Sequence, residues 1–238
     1  ELHLVLASEP ADPLFAPQPF DIMHQQSMYG SASGHLARTF DLLRSQAARL
    51  PAEQRALADA VLSQEAHIDR LLAAITTRRI DATRIRIHGD YHLAQVLWTG
   101  DDLVIIDFEG EPGRPLSQRR FKRSPLRDVA GMIRSFHYAS AAALRDGRLR
   151  HEDVARLAEW APPWADWVSA SFLGGYLDRA KDSMLVPKKQ ADLELLLGFF
   201  LLEKCIYEVG YELNHRPDWL EIPLRGLIAH ANLSVPAP

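Results

Sequence analysis

A mainly α-helical chain with one small β-hairpin insert, an α+β fold of one domain, is what three features of the 238-residue sequence predict. Apolar residues recur at helical spacing over residues 21–75 and again in several segments after Pro125. The period changes only in "RIRIH" and in part of "LVIID", both rich in isoleucine and valine. Between "QVLW" and "LVII" stands "TGDD", a turn signal that makes residues 95–106 a hairpin.

The elements follow in order. "ELHLVLAS" reads as the last turns of a helix, closed by "EPADPLFAPQP", whose prolines predict an irregular linker over residues 9–20. Residues 21–50 form a helix with Phe40, Leu42, Leu43, Ala47 and Leu50 toward its end. Pro51 restarts the chain at a helical N1 position, and Leu57, Val61, Leu62, Ile68, Leu72 and Ile75 continue the pattern. After the hairpin, helices are expected over 126–145, 163–182, 189–213 and 218–231, with Ser124 and Pro125 as N-cap and N1 of the first. Trp160, Trp164 and Trp167 flank the start of the second and are expected to pack between helices.

Composition excludes several classes. Hydrophobic residues make up 47% and charged residues 24%, ordinary for a soluble globular protein. A net charge of −4 gives no global reason to expect nucleic acid or an anionic membrane as partner. The apolar run "LLLGFFLL" meets Glu203 and Lys204 far short of the roughly 20 residues a membrane span needs. The single cysteine, Cys205, allows no intrachain disulfide and is expected in the core; with no signal peptide visible, a cytoplasmic setting is expected. The chain begins at Glu1 without an initiator methionine, as a piece of something longer would.

Asp90 precedes the first strand of the hairpin and Asp107 follows the second. A hairpin brings its entry and exit to one end, so the two carboxylates are expected close together. They would repel unless a cation intervened. Oxygen donors suit Mg²⁺, and Gln95 can add a carbonyl oxygen. Phosphoryl transfer uses such a set: one aspartate for the proton of the attacking hydroxyl, another for Mg²⁺ against nucleotide phosphates, and an amide oxygen beside it. Protein kinases write this as D-x-x-x-x-N, followed after a short hairpin by D-F-G. Here "HGDYHLAQ" gives D-x-x-x-x-Q and "IIDFEG" gives D-F-E. Read singly, Asp90 is equally a turn residue after Gly89, and Asp107 an exposed strand end. His88 and His92 have H-x-x-x-H spacing, but "HGDYH" lacks the glutamate of a zinc-peptidase helix. His88 is expected to hold the loop by bonding to backbone.

"HGDYHLAQVLW…VIIDFEGEP" resembles the aminoglycoside-phosphotransferase-like kinases, whose loop reads H-G-D-x-H-x-x-N. Gln95, with "DFEGEPGRPLSQRRFKRSPLRDVAGMIRSFHYA" and "LLEKCIYEVGYELNHRPDWLEIPLRGL", resembles the bacterial maltokinases within that superfamily, over nearly the whole chain. The resemblance implies a protein-kinase-like C-terminal lobe over residues 1–238. Its parts would be a helical segment at 1–83, the catalytic loop, hairpin and metal loop at 84–112, and a helical segment at 113–238 that carries the sugar site. It implies transfer of the ATP γ-phosphate to carbon 1 of maltose, for α-glucan and trehalose metabolism, with Mg²⁺ and sometimes with a fused trehalose synthase domain. Carried over by position, Asp90 is the catalytic base, Gln95 and Asp107 are the Mg²⁺ ligands, and His88 and His92 shape the loop. Glu109 stands where protein kinases have the glycine of D-F-G, and Arg123 and Asp128 support the loop. Another kinase of the superfamily, acting on an aminoglycoside, choline or a different sugar, is an alternative. So is a noncatalytic lobe that scaffolds a glucan enzyme.

A sugar needs hydrogen-bonding groups and an aromatic face. On a helix Lys204, Tyr207, Glu208, Tyr211 and Glu212 fall on one side, with Asn214, Arg216 and Trp219 near its end. The same side reads equally as a solvated, ion-paired surface. "RPLSQRRFKRSPLRD" holds Arg114, Arg119, Arg120, Lys122, Arg123 and Arg127, and is expected either around phosphates at the cleft or as a plain surface loop. Residues 1–89 contain no lysine and no G-x-G-x-x-G, so the nucleotide-gripping N-lobe is expected to be absent from this chain. Little or no phosphotransfer is expected from it alone.

Overall fold

The computed structural model of the protein describes residues 1–111, 115–145 and 147–232, apart from the side chain of His151. In chain order the elements are α1 (Leu2–Leu6), β1 (Gln18–Pro19), α2 (Ile22–Gln46), α3 (Ala52–Leu62), α4 (Glu65–Ala73), β2 (Thr83–Arg84), β3 (Val96–Trp98) and β4 (Leu103–Ile105). There follow α5 (Leu116–Arg119), α6 (Leu126–Arg145), α7 (His151–Ala158), α8 (Ala161–Ala180), α9 (Gln190–His215) and α10 (Glu221–His230). The mainly helical expectation holds, and the long helices end within a few residues of their sequence-based limits. The strands form two antiparallel pairs, β1 with β2 and β3 with β4; Val96 faces Ile105 and Trp98 faces Leu103 across the expected hairpin. The chain divides into two compact units, residues 1–20 with 81–189 and residues 21–80 with 190 onward.

In the first unit α6 packs along α8. It buries Leu126, Val129, Ala130 and Ile133, the i, i+3, i+4, i+7 stripe of an amphipathic helix. The Ser124 hydroxyl accepts from the Leu126 N–H at 3.3 Å, and α6 begins at Leu126, so Pro125 directly precedes the helix and is not its first residue. Phe172 on α8 meets Phe136 on α6 edge to face, with ring centroids 5.7 Å apart.

Three further sequence expectations change in this unit. Trp160, Trp164 and Trp167 are 67%, 49% and 75% exposed rather than packed between helices. At 100° per residue they lie well away from the side of α8 that carries Ala165, Phe172 and Tyr176, where Phe172 meets Phe136 of α6. "RIRIH" is not a strand throughout. β2 pairs over two residues with β1, and beyond it Ile85 alone bridges Arg123. Its partner is the proline-rich segment, where Pro17 and Pro19 have no N–H to extend the ladder. That segment is also less irregular than expected: besides carrying β1, it is tied by the Lys122 ammonium, which donates to the carbonyls of Pro13 and Ala16 at 2.7 and 2.5 Å.

In the second unit α9 packs against α2 and α10, and α2 against α4. Leu36, Phe40 and Leu43 of α2, Ile68 and Leu72 of α4, and Leu196, Phe200, Ile206 and Val209 of α9 are buried; each such side chain contributes roughly 1.5–3 kcal/mol. Cys205 is among them, as expected. Asp21 caps α2 by accepting the His24 N–H at 2.8 Å. Pro51 is the N-cap residue of α3 and not its first helical position, and the pattern read as one helix breaks at Ser63 and Gln64 into α3 and α4. The buried Gln25 amide closes the 75–80 turn, donating to the carbonyls of Ile75 and Arg78 and accepting from the Ile80 N–H. Among the described residues no helix is long and apolar enough to cross a membrane.

Candidate active site

The "HGDYHL" loop lies on one side of α6, where Asp128, Gly131 and Ser135 are spaced i, i+3, i+7. The Asp128 carboxylate, 2% exposed, accepts from the backbone N–H of His88 at 2.7 Å and of Gly89 at 2.9 Å. Gly131 leaves room for the Tyr91 carbonyl, and the Ser135 hydroxyl accepts from the Leu93 N–H at 3.2 Å. The helix therefore grips the loop backbone at three successive points. Asp128 reaches the loop as the sequence reading supposed. Gly131 and Ser135 were missed, although small and polar residues interrupting an apolar stripe at helical spacing are a usable signal.

His88 is buried, and its Nε2 lies 2.7 Å from the carbonyl oxygen of Ile106, the residue before Asp107. Its ring also meets Phe108, with centroids 5.0 Å apart. Gly89 and Gly110, both with positive φ, bring the two loops together: a Cβ on Gly89 would sit 3.5 Å from the Gly110 Cα. Asp107 itself has φ +67°, a strained conformation for a residue with a side chain. Contacts then run from one aspartate toward the other. His92 Nε2 is 3.7 Å from Asp90 Oδ2, the Gln95 N–H donates to the His92 carbonyl at 2.9 Å, and Gln95 Nε2 donates to Asp107 Oδ2 at 3.0 Å. The hairpin holds this last pair in register through Ile106 N–H to the Gln95 carbonyl, 3.0 Å.

Because the Gln95 amide nitrogen bonds Asp107, its carbonyl oxygen and the Asp107 carboxylate are neighbouring hard oxygen donors. They fit Mg²⁺, which takes one or two protein oxygens and completes its shell with phosphates and water. Among the described residues no group of three or more His, Cys, Asp or Glu could hold a metal ion.

Glu109 is exposed in the turn after Asp107. Arg123 is half-buried and bonds Ile85 through its backbone in both directions at 2.9 Å. Arg119 lies against Gly110, Lys122 is engaged by the two carbonyls described above, and Arg114 lies outside the described residues. Two phenols flank Asp128: burial, and secondly its charge, push both Tyr91 and Tyr176 above the ordinary tyrosine range.

The residues expected at the sugar lie on α9, in the second unit. They form an aromatic ladder: Lys204 Nζ stands 4.8 Å from the Tyr207 ring centroid, Tyr207 stacks with Tyr211, and Tyr211 with His215 at 4.4 Å. Arg216 Cζ lies 5.3 Å from the centroid of Tyr211 and 5.1 Å from that of Trp219. The expected single face is divided. Glu208 and Glu212 are buried, being rotated toward the side that packs as core, and Glu212 is bound bidentately by Arg216 at 2.7 and 3.0 Å.

The chain is similar to known kinases in sequence and in fold. Two glucosamine kinases, from Mycolicibacterium smegmatis and Streptacidiphilus jiangxiensis, are 31% identical over 140 residues and 30% identical over 142 residues. The alignments cover 57% and 58% of this chain but only 32% and 30% of those relatives. A glucosamine kinase structure (crystal form B) matches 95% of this chain and 49% of its own, with TM-score 0.69 and 20% identity. One in complex with glucosamine, ADP and inorganic phosphate matches 95% and 52%, with TM-score 0.68. The chain thus spans about half the length of these solved proteins, with a kinase-like fold in common. Residues 11–160, which include the α6-gripped loop and the hairpin, match the phosphotransferase enzyme family (APH), and the chain belongs to that family.

Proposed function

We propose that this chain carries the phosphoryl-transfer centre of an ATP-dependent sugar kinase. The observation that supports it most is the clamped loop: Asp128 fixes the backbone on the N-terminal side of Asp90, while the hairpin joins Gln95 to Asp107. Asp90 would orient the acceptor hydroxyl and take its proton, with His92 beside it. Gln95 and Asp107 would hold Mg²⁺, which offsets the charge of the nucleotide phosphates. His88 and Asp128 keep the two loops in register, and Glu109, Arg119 and Arg123 border the same region.

The acceptor we infer is a hexose, with glucosamine ahead of maltose. The relatives named above are glucosamine kinases. The α9 surface offers the aromatic faces of Tyr207 and Tyr211 to the C–H side of a pyranose. Lys204 and Arg216 would complete it. Maltose retains the support of the "LLEKCIYEVGYELNHRPDW" string. The test is ATP-dependent sugar-phosphate formation by the protein that carries this chain, over glucosamine, maltose, glucose, an aminoglycoside and choline. Turnover of glucosamine above the others is expected. Turnover of maltose alone would move the acceptor reading, and turnover of none would favour a scaffold role.

A further inference from the structure

We propose that His3, oriented by Tyr176, is a positioning residue for the loop that carries Asp90; its relevance to catalysis rests on the phosphotransfer reading above. Asp128 is withdrawn from water, and a buried carboxylate needs donors on both oxygens. Oδ1 takes the Gly89 N–H; Oδ2 takes the His88 N–H and faces His3 Nε2 at 3.0 Å. A carboxylate only accepts, so the imidazole must carry its proton on Nε2. In the neutral ring Nδ1 is then an acceptor, and Tyr176 stands 3.0 Å from it with a hydroxyl to donate. The rings meet edge to face, with centroids 5.6 Å apart. Burial, and then the Asp128 charge, push the Tyr176 phenol up, which keeps that donor protonated.

The bonds converge on one carboxylate: Tyr176 O–H donates to His3, His3 N–H donates to Asp128, and the amides of His88 and Gly89 donate to the same Asp128. Gly89 has φ +87° and is the residue immediately before Asp90, so its amide direction sets where Asp90 starts. Without His3 the carboxylate loses one of three donors and is free to turn about its own χ angles. The helix that bears His3 does not depend on this bond for its place. Leu4 and Leu6 pack against Ile85, Ile87 and Leu185, independently of the imidazole.

The test is amide hydrogen exchange at His88 and Gly89 in the purified chain, with His3→Ala, His3→Gln and Tyr176→Phe. His3→Ala should speed exchange at these two amides about tenfold relative to the amides of α6 and α8, the scale of one lost hydrogen bond to a charged group. His3→Gln keeps an N–H at similar reach and should stay near the unsubstituted chain, with Tyr176→Phe between the two. His3 and Tyr176 line a cavity of about 590 Å³, so imidazole added to His3→Ala should enter and restore protection. Unchanged exchange in His3→Ala, or equal loss in His3→Gln, would overturn the proposal. If His3→Ala does not fold, Tyr176→Phe must still exchange faster at these amides than His3→Gln, or the proposal fails. In the active protein, His3→Ala should lower kcat with the acceptor KM unchanged. Absence of any phosphotransfer, with the exchange pattern intact, would sink the kinase reading and leave the positioning role standing.

Discussion

Gly131 stands where any larger residue would press on the loop: a Cβ there would lie 2.8 Å from the Tyr91 carbonyl oxygen, and a backbone atom cannot swing aside. Gly131→Ala is expected to cost about 1–3 kcal/mol by urea denaturation and to displace Asp90's neighbour, lowering activity more than that loss of stability explains. Asp90→Asn keeps the shape and removes the proposed base. It should cost roughly 10²- to 10⁴-fold in sugar-phosphate formation while leaving acceptor binding, measured by calorimetry, nearly unchanged. The residues of 88–107 were legible because their chemistry is contiguous in the chain. His3 and Tyr176 were not, since each meets its partner more than a hundred residues away and neither stands in a motif.

Among the elements, α6 carries the most consequence. His137, on this helix, is pushed down to about 4, chiefly by burial and also by Arg134, with Asp166 partly opposing. The unfolded chain takes up that proton near pH 6.5, the folded chain only near 4, so between these values the unfolded state binds more protons. Stability should therefore fall as pH drops from about 6.5 to about 4, and His137→Gln should flatten this part of a plot of urea midpoint against pH. On α8 the exposed tryptophans give the opposite expectation. Trp167→Gln should shift stability by no more than about 0.5 kcal/mol, whereas a tryptophan packed between helices would cost several. Hydrophobicity announced that these indoles belong to a helix; it could not say which side of the helix would find a partner.

For the whole molecule, the lysine-free stretch before Lys122 bears directly on activity, as does the match to about half of each solved relative. Phosphoryl transfer needs cationic donors over the α- and β-phosphates, and the first lysine here is tied to Pro13 and Ala16. The 238-residue chain by itself is expected to form little or no sugar phosphate from ATP. A turnover number within tenfold of typical kinases, about 1–100 s⁻¹, would contradict this.

Sequence alone determined the helical architecture, the hairpin and the stretch that carries the proposed phosphotransfer residues, because period, turn chemistry and motif spacing are local properties written along the chain. Tertiary structure decided that Asp128, Gly131 and Ser135 would grip the loop that carries Asp90, and that His3 and Tyr176 would stand behind Asp128. It also decided that "RIRIH" would pair over only two residues and that Glu208 and Glu212 would turn inward. Each of these depends on which surface of an element meets another, and that is settled by packing between segments far apart in the chain.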